Sequence, residues 1–398
     1  MRILISSSFV FTVGLTVFGA SSVENAHKEV RKVMADAMAE SDLPAVVAVA
    51  VNSKGHRIEH AYGRVNWGES DPVKTSSIFR IHSMTKIVTS IAAMQLVERG
   101  KVELDQDLSE LLPQMAKIPI LQEDGKLVEA KIGITLRHLL THTAGFGYPN
   151  RTYRLSDKFD ASEWKYEDFP RQFESGTQYL YGTNTDWAGK LVEKVSGMTL
   201  ERYFKKKIFK PLGIKSTYFN VPKKEYKRIV SMGNRGTDGK GPLKEIDGDE
   251  VSPCRYPKET VTNFSGGGGL FSTPSDFTKI LQCVLNYGAY NDGKILKKET
   301  VELMMQNHIG DISLNPKGWH YDSATCCNFN GLMDKDSKWG LATLIDNTPE
   351  SYGRKKGALV WGGYRNTYFY IDHKSGIAAS IYSQHLPCLL YTSPSPRD

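Results

Sequence analysis

The sequence predicts an α+β fold in which one antiparallel sheet, built from both ends of the chain, carries a large helical insertion. Two observations point to it. Strand-like runs bracket the chain: Ala45 to Val51 and His56 to Tyr62 near its start, then Ala358 to Trp361, Tyr368 to Ile371 and Ile377 to Tyr382 near its end. Between them the apolar periodicity is mostly helical, over Ser83 to Arg99, Leu136 to Thr141, Asp186 to Ser196, Leu200 to Phe209, Pro274 to Leu285 and Lys298 to Gln306. Strands and helices that segregate along a chain, instead of alternating, pack as separate layers.

Taken in order, Val23, Ala26, Val30, Val33, Met34, Ala37 and Met38 share one face of an amphipathic first helix. The Val-rich run from Ala45 and the alternating run from His56 flank Asn52-Ser-Lys-Gly55, a turn-forming cluster, and so read as a hairpin. The segment after Ser83 is apolar nearly all round, which predicts a helix buried on every side. Ser265-Gly-Gly-Gly-Gly269 superficially matches a phosphate cradle, but no Lys-Ser or Lys-Thr pair follows it, so it reads as a tight turn or close backbone approach. The three late strands are divided at Gly362-Gly363 and at Asp372-His-Lys-Ser-Gly376. The sheet part then spans about residues 23–75 and 340–386, and the helical part about 76–339.

With 398 residues, 40% of them hydrophobic and 24% charged, the chain has the composition of a folded protein, neither disordered nor collagen-like. Its formal charge of +7 comes from scattered lysines with no basic block, which argues against nucleic acid as a partner. Arg2, the apolar run Ile3 to Phe18 and the small residues Gly19-Ala20-Ser21-Ser22 are the three zones of a signal peptide, so residues 1–22 predict a secreted or extracytoplasmic protein. Mitochondrial import is the alternative, and a single Arg speaks against it. Beyond that leader no apolar stretch reaches the length of about 20 residues that spans a bilayer. The sequons at Asn150 and Asn263 are compatible with secretion.

Cys254, Cys283, Cys326, Cys327 and Cys388 are too few and too irregular for a disulfide scaffold. His138 and His142 stand one helical turn apart, yet no third ligand lies near them in sequence, so no metal is expected, and the serine chemistry read below needs no cofactor.

The strongest chemical candidate is Ser83-Met-Thr-Lys86. A serine in the first turn of a buried helix meets free backbone N–H groups and the positive end of the helix dipole, both of which favour a developing oxyanion. Lys86, three residues on, lies on the same face. In a dry cavity its ammonium form is disfavoured, so it can take a proton and activate the hydroxyl. Ser162-Glu-Trp-Lys165 has the same spacing, but it lies in a polar region with no buried helix after it, and context separates the two.

With its flanks, Ile78-Phe-Arg-Ile-His-Ser-Met-Thr-Lys86 through Leu96-Val-Glu-Arg-Gly-Lys-Val-Glu-Leu-Asp105 resembles the serine β-lactamase-like family of class C β-lactamases, D-amino-acid peptidases and β-lactamase-fold esterases. Further matches follow in family order: Ile134 to Gly145, Tyr181 ahead of Gly189 to Gly197, Pro211 to Ile214, Gly267 to Thr273, and Trp361-Gly-Gly363. The resemblance covers roughly residues 25–385 and implies a β-lactamase/transpeptidase-like fold. It implies that Tyr181 is the second catalytic element, a phenol that shuttles protons beside the lysine. It also implies an oxyanion hole from the backbone N–H groups of Ser83 and Tyr364, with Thr183, Asn184, Trp361, Gly362 and Gly363 against the substrate. His142, in the His-Thr-x-Gly turn, is expected to give structural support.

Three departures refine the expectation. The asparagine of the family's Tyr-x-Asn comes one residue late, as Asn184 after Thr183. Trp361 stands where β-lactamases carry the lysine of Lys-Thr-Gly, so an anionic substrate loses its anchor and neutral esters are favoured. Residues 387–398, with two prolines and no apolar face, read as a non-native tail in place of a closing helix. The expected activity is therefore a serine hydrolase or acyl-transferase on small esters, with amides next. The alternatives are a D-amino-acid peptidase or β-lactamase, and a catalytically idle polymerising scaffold.

Overall fold

A computed structural model describes residues 23–39, 41–148, 159, 164, 168–236, 241–247, 255–257, 259–291, 293–314, 336–348 and 353–386. The leader, the tail, Asn150, Ser162, Lys165 and every cysteine but Cys283 fall outside that set.

The sheet has seven strands, all paired antiparallel. They are β1 (Ala45–Asn52), β2 (Arg57–Gly63), β3 (Lys338–Trp339), β4 (Leu344–Asp346), β5 (Ala358–Gly363), β6 (Thr367–Asp372) and β7 (Ile377–Tyr382). Their spatial order is β3-β4-β5-β6-β7-β1-β2, so the N-terminal hairpin joins the C-terminal strands where β1 meets β7, Val49 facing Ser380. Both faces of the sheet are covered. Val47, Val49, Val51, Leu359, Trp361, Phe369 and Ala378 point into the main core, which also holds the helical part. Val46, Ala48, Val360, Tyr370, Ala379 and Ile381 point the other way, against Met34 of α1 (Val23–Ala39). Alternate residues of β1 and β7 thus meet opposite but equally apolar surroundings, and that is why these strands read as unbroken apolar runs.

The buried helix of the insertion is α2 (Thr85–Glu98), in which every residue from Thr85 to Leu96 is buried. Two of its polar side chains donate to buried carbonyls: Thr89 Oγ1 to that of Gly266 at 2.7 Å and Gln95 Nε2 to that of Ile295 at 2.9 Å. Around it lie α3 (Leu136–Leu140), α4 (Asn184–Ser196), α5 (Leu200–Phe204), α6 (Pro274–Leu285), which packs on β1 and β7, and α7 (Lys298–Met304).

Three local expectations need correction, and two short strands carry no signal in the sequence. Ser83 lies not in α2 but in a 3₁₀ turn, His82–Met84, that leads into it. The helix expected to run to Phe209 leaves α geometry after Phe204, and Lys205–Phe209 forms a π-helical turn in which Lys210 N–H donates to the Lys205 carbonyl at 2.9 Å. Strands β3 and β4, of two and three residues, are too short to show a period. Gly362 and Gly363 do not divide two strands, because they sit in β5 opposite Tyr368 and Thr367, and the turn falls after them, with Asn366 at φ 56°.

Candidate active site

Ser83 is set on a bend that the chain can make only under strain. His82, just before it, has φ 42°, the left-handed region that costs a non-glycine residue about 1–3 kcal/mol. The surroundings hold it there. Ile81 N–H donates to the Leu270 carbonyl at 3.1 Å, Met84 N–H donates to the Ile81 carbonyl at 3.0 Å, and the His82 ring meets that of Tyr364 edge-on at 5.6 Å. The end of β5 presses on the same stretch: a Cβ on Gly363 would stand 2.4 Å from the Ile81 carbonyl oxygen. Glycine there is required by close approach. Ser83 is the one residue from Ile81 to Leu96 that is not buried.

Lys86 is buried beneath it. An ammonium has three donors, and three acceptors surround this one: Ser83 Oγ at 3.3 Å, Tyr148 OH at 2.8 Å and the Gly267 carbonyl at 2.7 Å. The same nitrogen lies 4.7 Å from the centroid of the Tyr181 ring. Burial pushes the Lys86 pKa down to about 7, with the Asp186 carboxylate opposing the shift. Desolvation therefore outweighs attraction, and near neutral pH a large share of this amine is free to accept a proton from the neighbouring hydroxyl.

The opposite wall is aromatic. Tyr181 OH accepts from Trp361 Nε1 at 3.0 Å, and the Trp361 ring packs at 4.9 Å from that of Tyr181 and edge-on at 4.6 Å from Trp339. Trp339 in turn donates to the Leu140 carbonyl at 3.1 Å. His142, at φ 58°, closes the group with its ring 4.6 Å from Tyr181. Burial, then the Lys86 charge, hold its pKa well below the ordinary histidine range, so it sits there neutral. Its Nδ1 receives the Asn184 Nδ2 amide at 3.1 Å and the Gly182 N–H at 3.4 Å. His138, by contrast, accepts from the Thr135 N–H at 3.2 Å, so the two histidines serve separate turns.

Ser83, Lys86, Tyr181, Trp361, Gly363 and Tyr364 are brought together, whereas two of the expected substrate contacts are not. Asn184 is fully buried and spends its amide inward, on His142, on the Phe146 carbonyl at 2.8 Å and on that of Leu180 at 3.1 Å. Thr183 is buried as the residue preceding α4, its carbonyl accepting from Asp186 and Trp187. Both hold the Tyr181 segment in place. Trp361 is likewise only 2% exposed, so its indole supports Tyr181 and offers a substrate almost no surface.

Sequence reasoning missed Tyr148 and Asp186. Tyr148 reaches Lys86 from 62 residues away, and the only hint was its place three residues beyond Gly145 of the His-Thr-x-Gly turn. The glycine run is the backbone approach expected of it: a Cβ on Gly266 would stand 2.7 Å from the Thr185 carbonyl oxygen, and Gly267 supplies the carbonyl that receives Lys86. Among the described residues no group of three His, Cys, Asp or Glu is placed to hold a metal ion.

This fold, with a serine after a strained bend and above a buried lysine, is that of the serine β-lactamases and their esterase relatives, and the chain belongs to the Beta-lactamase family, whose profile matches residues 30–388. It is an enzyme of the serine hydrolase class. Among particular relatives, it is 31% identical to monacolin J acid methylbutanoyltransferase of Aspergillus terreus, over 82% of this chain and 81% of that protein. It is also 31% identical to lovastatin esterase of Penicillium rubens, over 83% of this chain and 86% of that protein. The unliganded structure of simvastatin synthase from Aspergillus terreus superposes with a TM-score of 0.75 at 27% identity, covering 92% of this chain and 94% of that one.

Proposed function

We propose that the protein transfers an acyl group from a small neutral ester to Ser83 and from there to water or an alcohol. The observation that carries the reading is the buried Lys86, with its pKa brought to about 7, 3.3 Å from Ser83 Oγ. Neutral Lys86 takes the serine proton as Oγ attacks the ester carbonyl. The tetrahedral oxyanion lies toward the backbone N–H groups of Ser83 and Tyr364, where positive backbone dipoles meet developing charge. As it collapses, the ester C–O bond breaks and the leaving alkoxide takes a proton from Tyr181. The Trp361 N–H steadies the phenolate so formed, and Lys86 then returns the proton it took from Ser83 to Tyr181. Water or an alcohol then repeats these steps in reverse and frees Ser83. Tyr148 and the Gly267 carbonyl keep the Lys86 amine aimed at Oγ throughout.

Neutral substrates fit this wall better than anions. Trp361 occupies the position where β-lactamases place a lysine, and its one donor is committed to Tyr181. A carboxylate brought here would lose water without gaining that cationic partner. The names of the curated relatives, one a methylbutanoyltransferase and one an esterase, support both fates of the acyl group. The leader at residues 1–22 supports export as the place of action.

The test is a serine-directed fluorophosphonate followed by peptide mapping, then rates on short aryl esters and on nitrocefin. Label on Ser83, together with ester turnover above lactam turnover, is expected. Label elsewhere, or none on folded protein, would remove the mechanism and favour an idle scaffold; lactam turnover equal to or faster than ester turnover would favour a β-lactamase.

A further inference from the structure

Asp186 is a buried carboxylate to which the mechanism above gives no task. It lies in the first turn of α4, and its Oδ1 accepts twice, from Ser265 Oγ at 2.5 Å and from Gly267 N–H at 3.1 Å. The carbonyl of that same glycine receives the Lys86 ammonium at 2.7 Å. One residue therefore carries a carboxylate on its N–H and an ammonium on its carbonyl. A side chain there would have to displace the carboxylate, since a Cβ on Gly267 would stand 2.3 Å from Asp186 Oδ2.

We propose that Asp186 is a positioning residue for Lys86: through Ser265 and Gly267 it fixes the carbonyl that aims the amine at Ser83, and it supplies the negative charge that the amine feels. The proposal rests on the reading of Lys86 as the base. Among the described residues, the titratable groups facing Lys86 are His142 and Tyr148 from the segment after α3, Tyr181 from the segment before α4, and Asp186 from α4 itself. Burial and the Lys86 charge hold the His142 pKa down, so the group among them that favours the Lys86 ammonium by its charge is the Asp186 carboxylate. Its charge raises the Lys86 pKa against the stronger effect of desolvation. Without it, desolvation would act unopposed and the amine would lose its proton at lower pH.

The aim and the charge can be separated by substitution. Asp186→Asn keeps an oxygen to accept from Ser265 and Gly267 but removes the charge. Ser265→Ala keeps the charge and removes one hydrogen bond of the clamp. The readout is the pH profile of kcat/KM for an aryl ester, in which the acid limb reports loss of the neutral amine. For Asp186→Asn that limb is expected to move down by about half to one pH unit. For Ser265→Ala the limb is expected to stay, while kcat on the plateau drops by about threefold to tenfold with little change in KM. Should Asp186→Asn fail to fold, Gly267→Ala, which forces the carboxylate away, is expected to lower the limb in the same direction. A parent limb near neutrality that the charge-removing variant leaves in place would overturn the inference alone. A parent profile with no such limb would overturn the base assignment, and this inference with it.

Discussion

The two walls of the site achieve their geometry by different physics. On the helix side, Ser83, Lys86, Gly267 and Asp186 form a chain of hydrogen bonds in which every strong donor meets an acceptor. On the strand side, Tyr181, Trp361, Trp339 and His142 are packed ring against ring, and the Trp361 indole N–H donates to the Tyr181 hydroxyl. The helix side adjusts the charge of the base, and the strand side adjusts the position of a phenol. Damage to the first should therefore appear as lost turnover with an altered pH response. Damage to the second should appear as lost turnover with the pH response intact.

The largest contrast comes from removing the base. Lys86→Met should reduce kcat/KM by about 10²–10⁴-fold, the usual contribution of a general acid–base group. The variant also leaves the Gly267 carbonyl without its donor and Asp186 without its facing amine, so its rate is read on protein shown by Tm to be folded. A variant within a few-fold of the parent would take Lys86 out of the catalytic set. On the other wall, Tyr181→Phe should cost about 10²-fold or more as a lost proton shuttle. Trp361→Phe, which keeps the ring and removes the N–H, should lower kcat by about tenfold, the worth of one hydrogen bond, with the acid limb unmoved. If KM rises instead and kcat holds, Trp361 touches substrate and its burial has been misread.

The smallest effect on rate is expected at Asn184. Its amide ties together the His142, Phe146 and Leu180 segments, so Asn184→Ala should lower stability by about 1–3 kcal/mol through unsatisfied buried acceptors. KM should be nearly unchanged. Calorimetry beside steady-state kinetics separates the two, and a KM effect with an unchanged Tm would restore the substrate contact that the sequence suggested.

What could be read from the sequence divides along the same line. Ser83 and Lys86 are legible because they are three residues apart and open onto a run of twelve successive buried positions, Thr85 to Leu96, to which Lys86 itself belongs, so proximity and dryness are both local facts. β1, β5, β6 and β7 were legible because burial on both faces leaves long apolar runs. Tyr148 and the Gly267 carbonyl reach Lys86 from 62 and 181 residues away, and no periodicity encodes such a meeting. Trp361 is recognisable by its motif, but the motif does not carry the burial of its indole against Tyr181. Whether a buried indole faces a substrate or a tyrosine is decided by the neighbouring strand and loop, not by its own position in the chain.

The central claim is that desolvation turns Lys86 into a base at neutral pH. Its most direct test is the pH dependence of Ser83 acylation, followed by stopped flow with an activated aryl ester. The neutral amine is the active form, so the rate should be level above the Lys86 pKa of about 7 and fall by about tenfold per pH unit below it, with Lys86→Met removing that limb. An acylation rate that stays level down to pH values where the enzyme is still folded, or that keeps its limb in Lys86→Met, would contradict the account.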